Sequence, residues 1–272
     1  MTVPKVSVCI PAYNAADYIG EAISSVLRQT FENFELIVLD DCSTDDTAAV
    51  IAKFSDPRLR FIQQDVNLGA KGNWNSALSE ARGEYIKILC SDDFIADRCL
   101  EWQTAVLDDP DNENVVLVTG DSNVIDADGT KKFVRRFPGR RGRWTGAQAV
   151  RLTVRLGRNI IGEPSLVLFR ASAAKAAGEF DGTLPYVIDL DYWCRLLAIG
   201  NMYALPEVVS SFRISRGAWS FRLADEQTTM FNSFVETVRH GDYGVREIDW
   251  LIGRQLCALN TLCRKIFYKY MP

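Results

Sequence analysis

The chain has 272 residues, 47% of them hydrophobic and 24% charged, a balance that suits an ordinary globular α/β protein able to bury a large core. Its formal net charge of −4 excludes a general nucleic-acid binder, which needs a basic excess to meet phosphates. Seven cysteines without a CxxC pair and a single histidine, His240, argue against a disulfide framework, a zinc site and Ser-His-Asp chemistry, so acid–base work must rest on carboxylates.

The opening stretch has no apolar run of signal-peptide type, and no segment reaches the roughly 18 apolar residues of a spanning helix. We therefore expect a cytoplasmic protein whose only membrane contact is peripheral, at the inner face. Residues 6–10 are a β-branched run stopped by Pro11, a buried strand. Asp17 stands where an N-cap would, ahead of Tyr18, Ile19, Ala22, Ile23, Val26 and Leu27 at helical spacing. Residues 34–39 form a second strand, stopped by Asp40-Asp41, and a helix follows through Ala48, Val50, Ile51 and Phe54. Residues 59–62 give a third strand. Residues 73–82 look helical with Gly83 as their stop, and 84–89 give a fourth strand that runs into Cys90-Ser91-Asp92-Asp93. This alternation predicts βαβ units and a mostly parallel sheet flanked by helices.

Beyond Asp93 the pattern loosens. Residues 115–119 read as a strand and 126–129 as an Asp-x-Asp-Gly turn. Residues 131–158 hold ten basic side chains and no acid, which reads as a solvated loop or a surface for anionic lipid. Residues 165–169 are a strand, 190–199 a helix stopped by Gly200, and everything after 220 looks helical. The apolar spacing over 248–270 fits a stripe that packs on the domain, on a second copy or on a membrane interface.

Three polar clusters fall just after strands: 11–14, Asp40-Asp41 and Asp92-Asp93. In open α/β sheets ligands bind beyond the carboxyl ends of the strands, so these clusters should converge on one site. Asp92 and Asp93 offer hard oxygen ligands for Mg²⁺ or Mn²⁺, which favour a few carboxylates plus substrate phosphates. Asp40 or Asp41 could accept hydrogen bonds from a nucleobase or ribose. Each pair taken alone also fits a solvated turn. Asp189 and Asp191 flank the start of a helix; capping explains one of them and leaves the other for general-base work. No Walker loop or GxGxxG follows a strand, which argues against P-loop NTPases and NAD dehydrogenases.

Taken together, these segments resemble the family 2 glycosyltransferases with the GT-A fold. The resemblance is carried by VSVCIPAYN from Val6, FELIVLDDCSTD from Phe34, Asn67-Leu68-Gly69 through Asn75, Gly83-Glu84-Tyr85-Ile86 through Asp92-Asp93, and IDLDYW from Ile188. It implies a GT-A domain over 1–220, with a nucleotide-binding half at 1–95, an acceptor half at 96–220, and a helical extension at 221–272. It implies that Pro11, Ala12, Tyr13 and Asn14 line the nucleotide pocket, that Asp40 binds the base, and that Asn67, Gly69 and Asn75 lie near the nucleotide. Ser91 and Asp92 would meet the nucleotide sugar, with Asp92 and Asp93 at the metal. Asp189 would be the general base and Asp191 its fallback. The implied reaction is inverting transfer from a UDP-linked sugar to a saccharide or lipid-linked saccharide acceptor, assisted by Mn²⁺ or Mg²⁺.

Two positions depart from the family pattern. Cys90 replaces the first carboxylate of D-x-D, and a thiol is a poor ligand for Mg²⁺. Ser215 stands at the histidine of R-x-H, which leaves Arg213 or Arg216 to meet the diphosphate. The same losses would suit a non-catalytic nucleotide-sugar-binding or assembly protein. A nucleotidyltransferase of similar sheet fits less well, since its glycine-rich, basic first loop is missing.

Overall fold

The structure, a computed structural model, describes residues 3–214 and 226–270. Strands and helices alternate strictly at first: β1 (Val6–Ala12), α1 (Ile19–Leu27), β2 (Phe34–Asp40), α2 (Thr47–Ile51), β3 (Leu59–Gln63), α3 (Gly69–Glu80) and β4 (Tyr85–Ile88). All seven residues of β2 are buried, and only Pro11 of β1 is not fully so. Continuous apolar runs of this kind form strands covered on both faces. Each Ile, Leu or Val buried there contributes about 1.5–3 kcal/mol. These strands pair in parallel in the order β3-β2-β1-β4. The register sets Ala12 against Asp40 and Asp40 against Gln63, so the carboxyl ends lie level and the polar residues after them share one edge.

Two helix starts differ from the sequence expectation. Asp17 does not cap α1; the Ala15 carbonyl accepts the N–H groups of Tyr18 and Ile19 instead. Helix α3 begins at Gly69 rather than Asn73, because its first turn, Gly-Ala-Lys-Gly, has almost no apolar signal. Gly69 opens it at φ +69°, a conformation that costs glycine little.

The second half contains β5 (Phe94–Ile95), α4 (Cys99–Asp108), β6 (Val115–Ile125), β7 (Lys131–Arg135), β8 (Gly142–Trp144), α5 (Gly146–Leu156), β9 (Leu168–Arg170), α6 (Ala171–Ala177), α7 (Ile188–Ile199) and β10 (Asn201–Arg213). The sheet runs β3-β2-β1-β4-β9-β6-β10-β5, with β7 on β6 and β8 on β10. Here it is mixed: β9 is antiparallel to both β4 and β6, while β6 and β10 are parallel. Strand β6 runs past the expected end at Thr119 through Gly120, where a Cβ would lie 2.9 Å from Val209 Cγ1 of β10. Pro164–Leu166 form a 3₁₀ turn, so β9 begins at Leu168 and not at Ser165.

The basic stretch is not a loop. It builds β7, β8 and α5, the last with a capping box between Thr145 and Gln148. Much of its charge is met internally: Lys132 pairs with Asp126, Arg135 with Glu163, Arg141 with Asp121 at 2.9 Å, and Arg151 with Asp249 at 2.7 Å. All four carboxylates lie outside residues 131–158, so the stretch by itself shows no acid.

The extension forms α8 (Gln227–Arg239) and α9 (Glu247–Tyr270). Helix α9 packs against α5 so closely that a Cβ on Gly253 would lie 1.9 Å from the Val154 carbonyl oxygen. The fully buried Asp249 holds that junction, taking Arg151 from α5 and Arg246 from the start of α9. The opposite face of α9 leaves Ile248, Leu251, Leu259, Leu262 and Ile266 exposed.

Candidate active site

The loops after β1, β2 and β3 form one polar cradle. Asn14 adopts φ +48° and Cys42 φ +60°, left-handed conformations that are uncommon outside glycine. Asn14 Oδ1 accepts Thr44 N at 2.8 Å, and Ser43 Oγ accepts Asn14 N at 2.9 Å, so the first two loops are laced together. Asp40 is fully buried and accepts both the hydroxyl and the N–H of Ser43 and the amide of Gln63. Asp41 accepts Leu68 N at 2.7 Å, and its carbonyl accepts Asn67 Nδ2 at 3.0 Å. Asn67 Oδ1 then accepts Gly69 N at 3.1 Å. Tyr13, beside Asn14 in the first of these loops, is half exposed. Pro11, Ala12, Tyr13, Asn14, Asp40, Asn67 and Gly69 thus fall in one region.

Asn75 does not present its amide to that cradle. Its Oδ1 accepts Phe180 N at 2.7 Å and its Nδ2 donates to Phe180 O at 3.1 Å, a closed pair that fixes the chain ahead of α7. Phe180 stacks on Tyr192 with centroids 3.9 Å apart, and Trp74 meets its edge at 5.1 Å.

Beyond β4, one ligand atom each of Cys90, Asp92 and Asp93 falls within 4.8 Å of the others. The two carboxylates are unequal. Asp93 Oδ2 accepts Ser165 Oγ at 2.6 Å and its Oδ1 accepts Arg213 N at 2.9 Å. Burial, together with the Asp92 charge, holds its carboxyl well above the usual range. Asp92 is partly exposed and meets no side-chain donor among the described residues. Burial also raises its pKa, while Arg213 opposes that rise. The Cys90 thiol is pushed far up by burial and by the two neighbouring charges. This donor set fits a divalent cation, with Asp92 the carboxylate left open and Asp93 braced by Ser165 and Arg213 N.

Arg213 departs from the expected diphosphate clamp. Its side chain is 2% exposed, and its guanidinium donates to Asp92 O at 2.9 Å, to the carbonyls of Asp126 and Ala127, and to Glu21. It lies over the Tyr18 ring at 4.5 Å. Its work is to fasten the Asp92 backbone. Arg216, the other expected contact, lies outside the described residues.

Asp189 and Asp191 both sit in the first turn of α7, which starts two residues earlier than the apolar spacing suggests. Asp191 is paired with Arg195 at 2.9 Å along the helix. Asp189 accepts Leu190 N at 2.7 Å and Asn159 Nδ2 at 3.0 Å. Burial outweighs these hydrogen bonds and lifts its carboxyl to about 7.

The Glycosyl transferase family 2 profile matches residues 7–172. The chain belongs to glycosyltransferase family 2. The relative WfgD of Escherichia coli, a UDP-Glc:alpha-D-GlcNAc-diphosphoundecaprenol beta-1,3-glucosyltransferase, is 31% identical over 238 residues, covering 85% of this chain and 87% of its own. The uncharacterized protein MT1568 of Mycobacterium tuberculosis is 33% identical over 212 residues, 76% of this chain. The chain spans just under two thirds of the length of some relatives, 66% of MT1568 and 64% of the Rickettsia typhi glycosyltransferase RT0329. Among solved structures, Staphylococcus aureus TarS 1–349 in complex with UDP-GlcNAc superimposes with a TM-score of 0.70 at 21% identity, covering 94% of this chain and 72% of that one. The fold is therefore GT-A.

Three side chains that the sequence motifs pass over bear on these carboxylates. Asn159 and Ser165 bond the carboxylates of Asp189 and Asp93, and Glu163 lies between them in sequence. Its charge pushes both of those carboxyls upward. The one signal that could have flagged Glu163 is that it is the first acid after the basic stretch at 131–158, two residues ahead of the expected strand at 165–169. Among the described residues no helix is long and apolar enough to cross a membrane.

Proposed function

We propose that this family 2 chain transfers a sugar, with inversion, from a UDP-linked donor to a hydroxyl of a saccharide acceptor. The observation that carries the reading is Asp189: a carboxylate lifted to about 7, in the first turn of α7, and joined to the Asp93 side of the site through the connection that carries Asn159, Glu163 and Ser165. A base with a pKa near the working pH takes a proton most effectively. Asp189 would accept the acceptor hydroxyl's proton as that oxygen bonds to the anomeric carbon. The bond from that carbon to the diphosphate oxygen breaks on the opposite face, so the configuration inverts.

The cradle supports the nucleotide end. Tyr13 offers a ring for stacking, and Asn14, Asp40, Asn67 and Gly69 shape the pocket edge. Mn²⁺ or Mg²⁺, held by Asp92 with Asp93 bracing it, would supply neutralisation of the departing diphosphate. The activity of WfgD supports a UDP-linked donor and a lipid-diphosphate-linked acceptor, within polysaccharide synthesis. The structure of the Pyrobaculum calidifontis mannosyltransferase PcManGT with GDP-Man and Mn²⁺ supports manganese, at a TM-score of 0.65 and 18% identity over 97% of this chain and 74% of that one. A lipid-linked acceptor calls for peripheral contact with the membrane. We assign that contact to the exposed apolar row of α9, beside Arg254 and Lys265.

The test is release of UDP from UDP-glucose and UDP-N-acetylglucosamine, with MnCl₂, in the presence of a polyprenyl-diphosphate-linked N-acetylglucosamine. Acceptor-dependent release with an inverted product is the expected result. Binding of the nucleotide sugar without any release would instead make the chain a binding protein.

A further inference from the structure

The connection between α5 and β9 carries the strongest unassigned feature. Asn159 at one end bonds Asp189, and Ser165 at the other bonds Asp93. The turn between them is rigidly built. Asn159 Oδ1 accepts the N–H groups of Ile161 at 3.1 Å and Gly162 at 3.0 Å. The Gly162 carbonyl accepts Asn159 Nδ2 and Trp193 Nε1, both at 3.1 Å. Gly162 adopts φ +112°, and Pro164 fixes the next step.

Glu163 stands in that turn with its side chain 10% exposed. One carboxylate oxygen takes the Arg135 guanidinium, which also donates to Ser122 Oγ at 3.0 Å and lies 5.1 Å over the Phe212 ring. The other, Oε1, is buried and meets no hydrogen-bond donor among the described residues. Buried carboxylate oxygens without donors are rare because they forfeit hydration and gain nothing in return. The charge of Glu163 reaches Asp93 on one side and Asp189 on the other.

We infer that Glu163 binds a hydroxyl of the transferred sugar and helps decide which sugar is accepted. The inference rests on the reading of Asp92 as the donor end and Asp189 as the base. In an inverting displacement those two ends face opposite sides of the anomeric carbon, so the sugar ring is what lies between them. An oxygen fixed there and lacking a donor is matched by a ring hydroxyl. Arg135 supplies the countercharge and fixes the carboxylate's orientation, a positioning role. A site built to hydrogen-bond a hydroxyl discriminates steeply against ligands that lack it in that position.

The test compares wild type with Glu163→Gln and Arg135→Lys by calorimetry with MnCl₂. The probes are UDP alone, GDP alone, UDP-glucose, UDP-galactose, UDP-N-acetylglucosamine and GDP-mannose. For Glu163→Gln, affinity for the free nucleotide should stay unchanged, affinity for the best nucleotide sugar should fall about 10- to 100-fold, and preference among the sugars should flatten. Arg135→Lys should give a smaller loss of the same kind. Thermal melting separates this from unfolding. Unchanged preference in a folded Glu163→Gln overturns the inference and leaves the proposed function standing, as does an equal loss for nucleotide and nucleotide sugar. A wild-type chain that binds none of the probes overturns the donor reading, and the inference with it.

Discussion

Asn159 Nδ2 donates to Asp189 Oδ2 at 3.0 Å, and the same asparagine's oxygen is tied to two backbone N–H groups of its own turn. The amide therefore cannot flip without breaking both, and Asp189 always receives a donor. Its other oxygen accepts Leu190 N. Each oxygen keeps a lone pair for an incoming hydroxyl. Asp189→Asn removes the base and keeps the volume. It should lower acceptor-dependent transfer by roughly 10²- to 10⁴-fold while the dissociation constant for UDP stays unchanged. Steady-state kinetics paired with calorimetry would show this, and full turnover would move the role to Asp191.

Activity should follow the ionisation of that carboxyl. Burial raises Asp189 from its ordinary value to about 7, and only the ionised form accepts a proton. The active form is thus complete above pH 7 and is lost as pH falls through it. Below the midpoint kcat/KM should drop about tenfold per pH unit. Asn159 hydrogen-bonds the ionised form, so Asn159→Ala should move the inflection upward. A profile of kcat/KM from pH 5 to 9 checks both; an inflection near 4 in the wild type would contradict the first.

The residues that the sequence places well are those whose role is local. Strand β2 ends where its apolar run meets Asp40-Asp41, β1 continues past the expected stop at Pro11 to Ala12, and the parallel register carries the two loops together. Asp189 follows from a helix start. What the sequence hides is pairing across the chain. Arg135 meets Glu163 and Arg151 meets Asp249, partners 28 and 98 residues away, so the basic stretch looked uncompensated. Arg213 looked free for a phosphate because its four acceptors, three of them backbone carbonyls, carry no sequence signature. Asn75 was hidden in the same way by the Phe180 backbone, 105 residues on.

Asp92 and Asp93 should behave differently when substituted. Asp92→Asn removes charge from a carboxylate with no side-chain donor to lose among the described residues, so folding should be little changed. Its cost should fall on the metal: the stimulation by Mn²⁺ of UDP-sugar binding should shrink at least tenfold. Asp93→Asn instead disturbs the bonds to Ser165 and Arg213 N and should lower the melting temperature. Titration of each variant with MnCl₂, followed by calorimetry and thermal melting, distinguishes them. Equal loss of metal response in both, with equal stability, would make them joint ligands.

Arg213 gives the sharpest contrast between two roles. A diphosphate clamp can be removed with little effect on folding, because its donors face substrate. A buried guanidinium bonded to three backbone carbonyls and Glu21 cannot, since its loss leaves those acceptors without donors. Glu21 is half exposed and can turn to water, but each buried carbonyl left without its donor costs about 1–3 kcal/mol. For a domain of this size Arg213→Met should lower the melting temperature on the order of 10 °C. Arg213→Lys should recover little, because an ammonium cannot span the fork that reaches Asp92, Asp126 and Ala127 together. Thermal melting and UDP calorimetry on both variants decide the matter. A melting temperature equal to wild type, joined to lost UDP affinity, would return Arg213 to the diphosphate.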